Sequence, residues 1–330
     1  MSLRLVSATL ALLWAVAAPA APDEARAWIA RMNEALSTRS YDGVFVHQVA
    51  GQREVLRIIH RLRDGRMAER LVSTDGSGRE FVRDGTDWVA YFPDRRLAVK
   101  ETRNRSYGFI ATLKGLSEES DKYYAITSVG TQRLQGRLTQ MIAVEPRDAL
   151  RYGYRFWLDQ QNAMPIKTQL VSRAGEVIEE ISFVSLSLPA TIPDELLKPD
   201  VDTKGFRWMR RDVPAHTPAV KLAFVPRTEL LPAGFRVRLL GTPEQEVEAK
   251  GPRTRYIVSD GIAWVSVFVE LADADSKAAG SHGAAARPDG LVQMGASAAY
   301  VMRVESYRVT VVGEVPPMTV RAIAEAVKPE

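Results

Sequence analysis

The stretch 41–63, YDGVFVHQVAGQREVLRIIHRLR, leaves the chain little choice of fold. Val44, Phe45, Val46 and Val49 in its first half, and Val55, Leu56, Ile58 and Ile59 in its second, suit a pleated, half-buried surface. Ala50-Gly51-Gln52 between them reads as a short hairpin connection. The hairpin is the start of a long antiparallel sheet.

Further strands are expected at 66–74, 79–83, 86–92, 97–102, 123–129, 138–145, 152–158, 165–172 and 176–186, separated by Asp-Gly, Gly-Ser-Gly and Pro-Asp turns. Strands recurring every ~10 residues with few helices between them describe an antiparallel meander that curls into a barrel or half-barrel. A first helix over 22–37 carries Trp28, Met32, Ala35 and Leu36 on one stripe and Asp23 and Glu24 in its first turn. It is expected to pack onto the sheet, and any part of the concave face left unfilled would form an apolar cavity.

Pattern is lost between Arg103 and Lys122, which reads as one or two short helices or a flap. Here Arg95, Arg96, Lys100, Arg103, Arg105 and Lys114 flank Tyr107, Phe109, Ile110 and Leu113. Such a mixture suits a ligand with phosphates and acyl chains, or equally a helix that plugs the barrel with its charges in water. Residues 189–218, with Pro189, Pro193, Pro199, Pro214 and Pro218, read as an interdomain linker, although Phe206, Trp208 and Met209 stand in it beside Arg207, Arg210 and Arg211. A smaller α+β unit follows from residue 219. Its strands are expected at 235–241, 254–259, 263–271, 291–295, 299–304 and 307–313, with a last helix at 317–327 and a polar Ala/Gly/Ser-rich loop at 272–290. The whole is an α+β chain: signal peptide 1–21, large domain 22–188, linker 189–218, small domain 219–330.

The beginning of the chain reads as an export signal. Arg4 supplies the positive end, residues 5–18 an apolar run shorter than the ~20 residues of a spanning helix, and Ala18-Pro19-Ala20 a cleavage site, with the cut after Ala20 or Ala21. The chain has no cysteine, which excludes disulfides, thiolate metal sites and cysteine nucleophiles, and fits an exported protein of a bacterial periplasm. A formal net charge of +4 is too mild to imply nucleic acid.

Chemistry is sparse. His47 and His60 lie on the two arms of the hairpin but imply no third metal ligand. No G-x-S-x-G elbow or phosphate-binding glycine loop occurs, and Glu118-Glu119 and Glu179-Glu180 read as solvated faces. An enzyme, a metal site and a cofactor are therefore not expected.

The segments YDGVFVHQ and LRIIH, then LLPAGF, YIVSDGIAWVSVFVE and GLVQMGASAAYVMRVESYRVTVVGEVPPMTV, resemble the RseB/MucB family of periplasmic regulators of the envelope-stress sigma factor. The resemblance implies a large domain similar to the LolA and LolB lipoprotein carriers, an unclosed β-barrel wrapped on helices, and a small domain that contacts its partner. That partner is the periplasmic part of an anti-sigma factor of the RseA/MucA kind, shielded from a DegS-type protease until lipopolysaccharide releases the regulator.

Within that frame Arg95, Arg96, Arg103 and Arg105 are candidates for lipid phosphates, and Trp88, Phe92, Phe109 and Ile110 for acyl chains. Trp208, Arg210, Trp264 and Phe268 are candidates for the anti-sigma factor, each with core packing as the competing role. A periplasmic carrier of lipids or lipoproteins is the alternative function, and self-association into a homo-oligomer is left open.

Overall fold

The structure, a computed structural model, describes residues 22–102, 113, 115–211, 224–241, 253–272 and 290–329. It opens with helix α1 (Pro22–Thr38), whose Asp23 and Glu24 sit in the first turn, where negative charge opposes the helix dipole. Ala25, Ile29, Met32, Ala35 and Leu36 recur at helical spacing and are buried.

The hairpin follows as β1 (Tyr41–Val49) and β2 (Gln52–Arg63), in register from Tyr41 opposite His60 to Val49 opposite Gln52. Its turn is just Ala50 and Gly51, at φ of 50° and 75°, because two-residue hairpin turns that match strand twist need positive φ at both positions. The meander continues through β3 (Arg66–Ser73), β4 (Glu80–Asp84), β5 (Asp87–Phe92) and β6 (Leu97–Thr102). It resumes with β7 (Tyr124–Leu134), β8 (Arg137–Pro146), β9 (Gly153–Asp159), β10 (Pro165–Val171) and β11 (Val177–Ser187).

With β12 (Arg207–Arg211) these form one twelve-stranded sheet in the order β12-β6-β5-β4-β3-β2-β1-β11-β10-β9-β8-β7. Its ends do not pair, so the half-barrel is unclosed. Helix α1 lies in its hollow: Ile29, Met32 and Leu36 share a core with Tyr41, Phe45, Ile58 and Leu71 on one flank and Ile142, Phe156, Ile166 and Phe183 on the other. That core fills the concave face over most of the sheet.

The stretch read as a linker is packed as far as Arg211. A 3-10 turn at Asp194–Leu197 brings Ile192 and Leu197 against Ile59 and Ala68 on the outer face. Arg61 donates to the Ile192 carbonyl at 2.8 Å, and Arg70, itself nearly buried, reaches Glu80 at 2.9 Å and Asp200 at 2.6 Å. The chain then joins the sheet as β12, parallel to β6. Trp208 and Met209 are thus strand residues, with Phe206 just before the strand, which the proline-rich surroundings concealed.

The second body comprises β13 (Phe224–Pro226), β14 (Arg236–Gly241), β15 (Arg253–Ser259), β16 (Trp264–Leu271), β17 (Gly290–Met294), β18 (Ser297–Val304), β19 (Tyr307–Gly313), α2 (Pro317–Glu325) and β20 (Val327–Pro329). Six of these strands form a sheet ordered β14-β15-β16-β19-β18-β17, and β13 pairs with β20. Helix α2 ends two residues before the expected position because the chain turns there into β20. Val265, Val267, Val269, Val309 and Val311 pack with Val320, Ile323 and Ala324 of the helix to make this core.

A buried arginine joins the two bodies. Arg151, in the loop between β8 and β9 and 0% exposed, donates to Asp260 Oδ2 at 3.0 Å and to the Ala233 carbonyl at 2.6 Å. The Tyr124 hydroxyl donates to the same Asp260 oxygen at 2.8 Å, while the amides of Ile262 and Ala263 donate to Oδ1 at 2.9 and 2.8 Å. Tyr123 and Phe235 place their rings against the guanidinium, at 4.5 and 5.1 Å. Burial, then the Asp260 charge, push the Tyr124 phenol far above its ordinary pKa, so it stays a donor. Close by, the Thr319 hydroxyl donates to the Leu150 carbonyl at 2.6 Å.

Candidate partner-binding surface

The pairing of β12 with β6 brings together residues that are far apart in sequence. Arg207 stands opposite Leu97, Trp208 opposite Ala98 and Arg210 opposite Lys100, and the Arg207 amide donates to the Arg96 carbonyl at 2.8 Å. Arg95 and Arg96 occupy the 3-10 turn Pro93–Arg95 and its cap, with Arg96 in the left-handed region at φ 45°. Arg95 and Arg96, two of the four arginines expected to hold lipid phosphates, and the Trp208–Arg210 pair expected to meet a protein partner therefore share one edge of the sheet. Arg207 and Met209, noted in the sequence beside Trp208 but given no binding role there, belong to it as well.

This edge is cationic and aromatic. Among the described residues Arg95, Arg96, Arg207 and Arg210 have no carboxylate partner, and all four are exposed. Trp208 is 52% exposed and keeps one edge against the Tyr91 ring, with centroids 6.1 Å apart and planes at 87°. Lys100 is engaged differently: it bonds Asp87 at 2.8 Å, and that hydrogen bond holds the Asp87 carboxyl below its ordinary range.

The inner face behind this edge carries a polar row running across the strands. The register puts Tyr41, His60, Glu69, Arg83 and Trp88 opposite one another on successive strands from β1 to β5. His60 stacks on Tyr41 at 4.6 Å and bonds Glu69 at 2.8 Å, Arg83 reaches Glu69 at 3.3 Å, and the Arg83 guanidinium lies 5.0 Å over Trp88. His60 and Glu69 are each 1% exposed, so this is a paired buried charge cluster rather than an open acid-base site. Phe92 meets Phe81 edge-on at 6.3 Å beside it. Trp88 and Phe92 are thus half-buried on the inner face, while Arg103, Arg105, Phe109 and Ile110 lie outside the described residues.

The histidines are held apart by the hairpin register: His47 faces Glu54 and His60 faces Tyr41, six residues or about 20 Å along the strand. His47 instead bonds Glu179 at 2.7 Å, which raises its pKa. Glu179 and Glu180, read as a solvated pair, are half-buried and individually engaged. Although desolvation opposes it, hydrogen bonds from Lys167 and Gln169 keep Glu180 below its ordinary range. Among the described residues no three His, Asp or Glu side chains gather as a metal site.

On the second sheet Trp264 begins β16 at 44% exposure, and Phe268, two pairs further along the same face, sits under the Arg255 guanidinium at 5.6 Å. These two belong to an interior strand of the smaller sheet, whereas Trp208 and Arg210 belong to an edge of the larger one. A cleft of about 700 Å³ opens where the bodies meet, lined by Val49, Ala50, Val177, Ile178, Gln293 and Gly295.

An open sheet wrapped on one helix, bolted to a second α+β body and offering a charged, aromatic edge, defines a two-domain binding protein. Profiles of two families match it in chain order: the MucB/RseB N-terminal domain over residues 24–201 and the MucB/RseB C-terminal domain over residues 226–328. The chain belongs to the MucB/RseB family.

It is 30% identical over 325 residues to the sigma factor AlgU regulatory protein MucB of Pseudomonas aeruginosa, covering 96% of this chain and 95% of that one. It is 28% identical to the sigma-E factor regulatory protein RseB of Escherichia coli K12, covering 97% of this chain and 95% of that one. Among solved structures, the Pseudomonas aeruginosa MucA/MucB complex matches at a TM-score of 0.67 and 27% identity, over 93% of this chain and 99% of that one. MucB alone matches at 0.59 and 25% identity, over 93% and 98%.

Proposed function

We propose that this protein is a periplasmic regulator that binds the periplasmic part of a membrane anti-sigma factor of the RseA/MucA kind and so restrains an envelope-stress sigma factor. The observation that carries the reading is the full-length match, both domain profiles in order, to a protein solved in complex with MucA. Export by a leader cut after Ala20 or Ala21 delivers it there, organised as domain 22–188, connecting segment 189–218 and domain 219–330. It acts by binding and not by catalysis.

The anti-sigma factor engages Trp208 and Arg210 on the β12 edge and Trp264 and Phe268 on the smaller sheet. Lipopolysaccharide engages Arg95, Arg96, Arg103 and Arg105 through phosphates, and Trp88, Phe92, Phe109 and Ile110 through acyl chains. Support for coupling the two comes from adjacency: Arg96 and Arg207 are hydrogen-bonded neighbours, so lipid phosphates and a protein partner would contend for one edge. A lipid that binds the free regulator better than the complex releases the partner, by no more than its differential affinity, and the partner is then open to a DegS-type protease.

The test is a titration of the mature protein against the periplasmic fragment of the anti-sigma factor, with and without lipopolysaccharide. Binding that lipopolysaccharide weakens, and that Trp208→Ala or Arg210→Ala weakens by roughly tenfold, is the expected result. Lipid uptake without any binding of the fragment would overturn the regulator reading in favour of a lipid carrier.

A further inference from the structure

The two bodies touch at two patches of different character. At the first, the turn 260–263 of the smaller body reaches into the half-barrel. Ile262 is buried in the larger core with Leu113 and Tyr124, and Asp260 holds Arg151 at 3.0 Å. A Cβ on Gly115 would overlap the Gly261 carbonyl, so the two backbones meet with no room to slide. At the second, the turn between β17 and β18 meets the ends of β1 and β11. Ala296 is buried there against Tyr152 and Leu170, and a Cβ on Gly295 would come 2.5 Å from Val49. The cleft of about 700 Å³ opens beside this second patch, lined by Val49 and Ile178 of one body and Gln293 of the other.

Ionisable groups from both bodies gather at the second patch. His47 on β1 bonds Glu179 on β11 at 2.7 Å. Glu314 of the smaller body follows Gly313, whose strand partner Ala298 stands two residues past Ala296. It lies close enough for its charge to act on His47 and Tyr154, and for those of Glu179 and His47 to act on it. Among the described residues His47 is the only cation acting on Glu314. The other groups around them are already settled. Glu54, opposite His47 on β2, is held by Arg79 and by the Ser73 hydroxyl at 2.9 Å. Glu180, at the cleft, takes Lys167 at 2.8 Å and Gln169 at 2.6 Å. Burial first, then Glu314, Asp260 and Glu179, push the Tyr154 phenol up, so it stays neutral.

We propose that this second patch is a proton-linked joint: His47 and Glu314 hold protons while the bodies are closed on each other and release them when the patch parts, the Arg151–Asp260 contact serving as pivot. The cleft then widens as the medium turns alkaline. Both groups act in the same direction. The hydrogen bond from Glu179 raises the His47 pKa, and desolvation followed by the Glu179 charge raises that of Glu314. A pKa raised in the closed form means that the closed form holds the proton more tightly. Its support for closure is complete at low pH and is lost as pH rises through the raised value. On that rise His47 loses its positive charge and Glu314 gains a negative one, which leaves Glu314 and Glu179 repelling each other across the joint. Exported as proposed above, the protein meets the pH of the medium; the joint itself needs neither lipid nor anti-sigma factor.

The chain has no cysteine, so Arg53→Cys and Gln293→Cys place one spin label on each body of the mature protein. Pulsed dipolar spin resonance then reads the distance between them. One short distance is expected at about pH 5.5, and a second, longer one whose share relative to the first rises at least ~10-fold by about pH 8.5, a factor of ten for each unit by which a pKa differs between the two forms. Glu314→Gln in the labelled protein cuts that rise by more than half, and His47→Gln shows the longer distance already at the acid end. Distances that do not move with pH, or that move equally in Glu314→Gln, overturn the proposal. So does a longer distance that appears only with loss of the far-UV circular dichroism signal, since that is unfolding and not hinging. The readings are taken without partner or lipid, so their failure leaves the regulator reading standing.

Discussion

Replacing Arg151 by methionine tests whether one buried charge fixes the two bodies to each other. The guanidinium and Asp260 face each other at 3.0 Å, and both side chains are 0% exposed. At an effective dielectric near 20 their attraction is about 5 kcal/mol, most of which is offset by the cost of taking both ions out of water. Arg151→Met removes the attraction but leaves Asp260 buried, a situation that costs about 3–5 kcal/mol. Asp260 retains the Tyr124 hydroxyl and the amides of Ile262 and Ala263, which favours the lower end. The lost bond to the Ala233 carbonyl adds about 1 kcal/mol, for a total near 4 kcal/mol.

Urea unfolding, followed by far-UV circular dichroism and tryptophan fluorescence, provides the measurement. The two probes should report separate transitions in Arg151→Met, because the contacts that make the bodies unfold together include this one. Adding Asp260→Asn removes the orphaned charge and should recover about 1–2 kcal/mol relative to the single variant. A single variant within about 1 kcal/mol of wild type, or a double variant that is simply additive, would refute the reasoning.

Two further outcomes follow from local geometry. The His47 pKa is raised mainly by its hydrogen bond to Glu179, with Glu179, Glu54 and Glu314 adding and desolvation opposing. A raised folded pKa contributes stability that is fully present below the unfolded value of ~6.5 and is lost as pH rises through the folded value. His47→Gln should therefore cost about 0.5–1 kcal/mol in urea melts near pH 5.5 and almost nothing above pH ~8; a pH-independent difference would contradict the assignment. Gly205 and Gly234 both have positive φ, 78° and 86°, but a Cβ at Gly205 meets nothing within 4 Å while one at Gly234 comes 2.6 Å from the Tyr123 ring. Gly205→Ala should cost ~1 kcal/mol of backbone strain, and Gly234→Ala ~1–3 kcal/mol more in midpoint-derived stability; equal costs would show that the Tyr123 ring yields freely.

The opening hairpin, the meander and the first helix were legible in the sequence, because branched and aromatic residues recur at the spacing of a half-buried strand and Trp28, Met32, Ala35 and Leu36 at that of a helix. Turn chemistry was local too: Ala50-Gly51 sets the register of β1 against β2 without help from the rest of the chain. What the sequence by itself determined was therefore which segments extend, where they reverse and which side of each is apolar. Which strands meet was decided only by the tertiary structure. Nothing local tells RWMRR to lie beside β6, since a parallel pairing depends on the intervening chain crossing the outer face through Ile192 and Leu197. Nor could the sequence tell that Arg151 and Asp260 share one buried site. Such facts depend on long-range packing, where a charge is tolerated according to what stands opposite it.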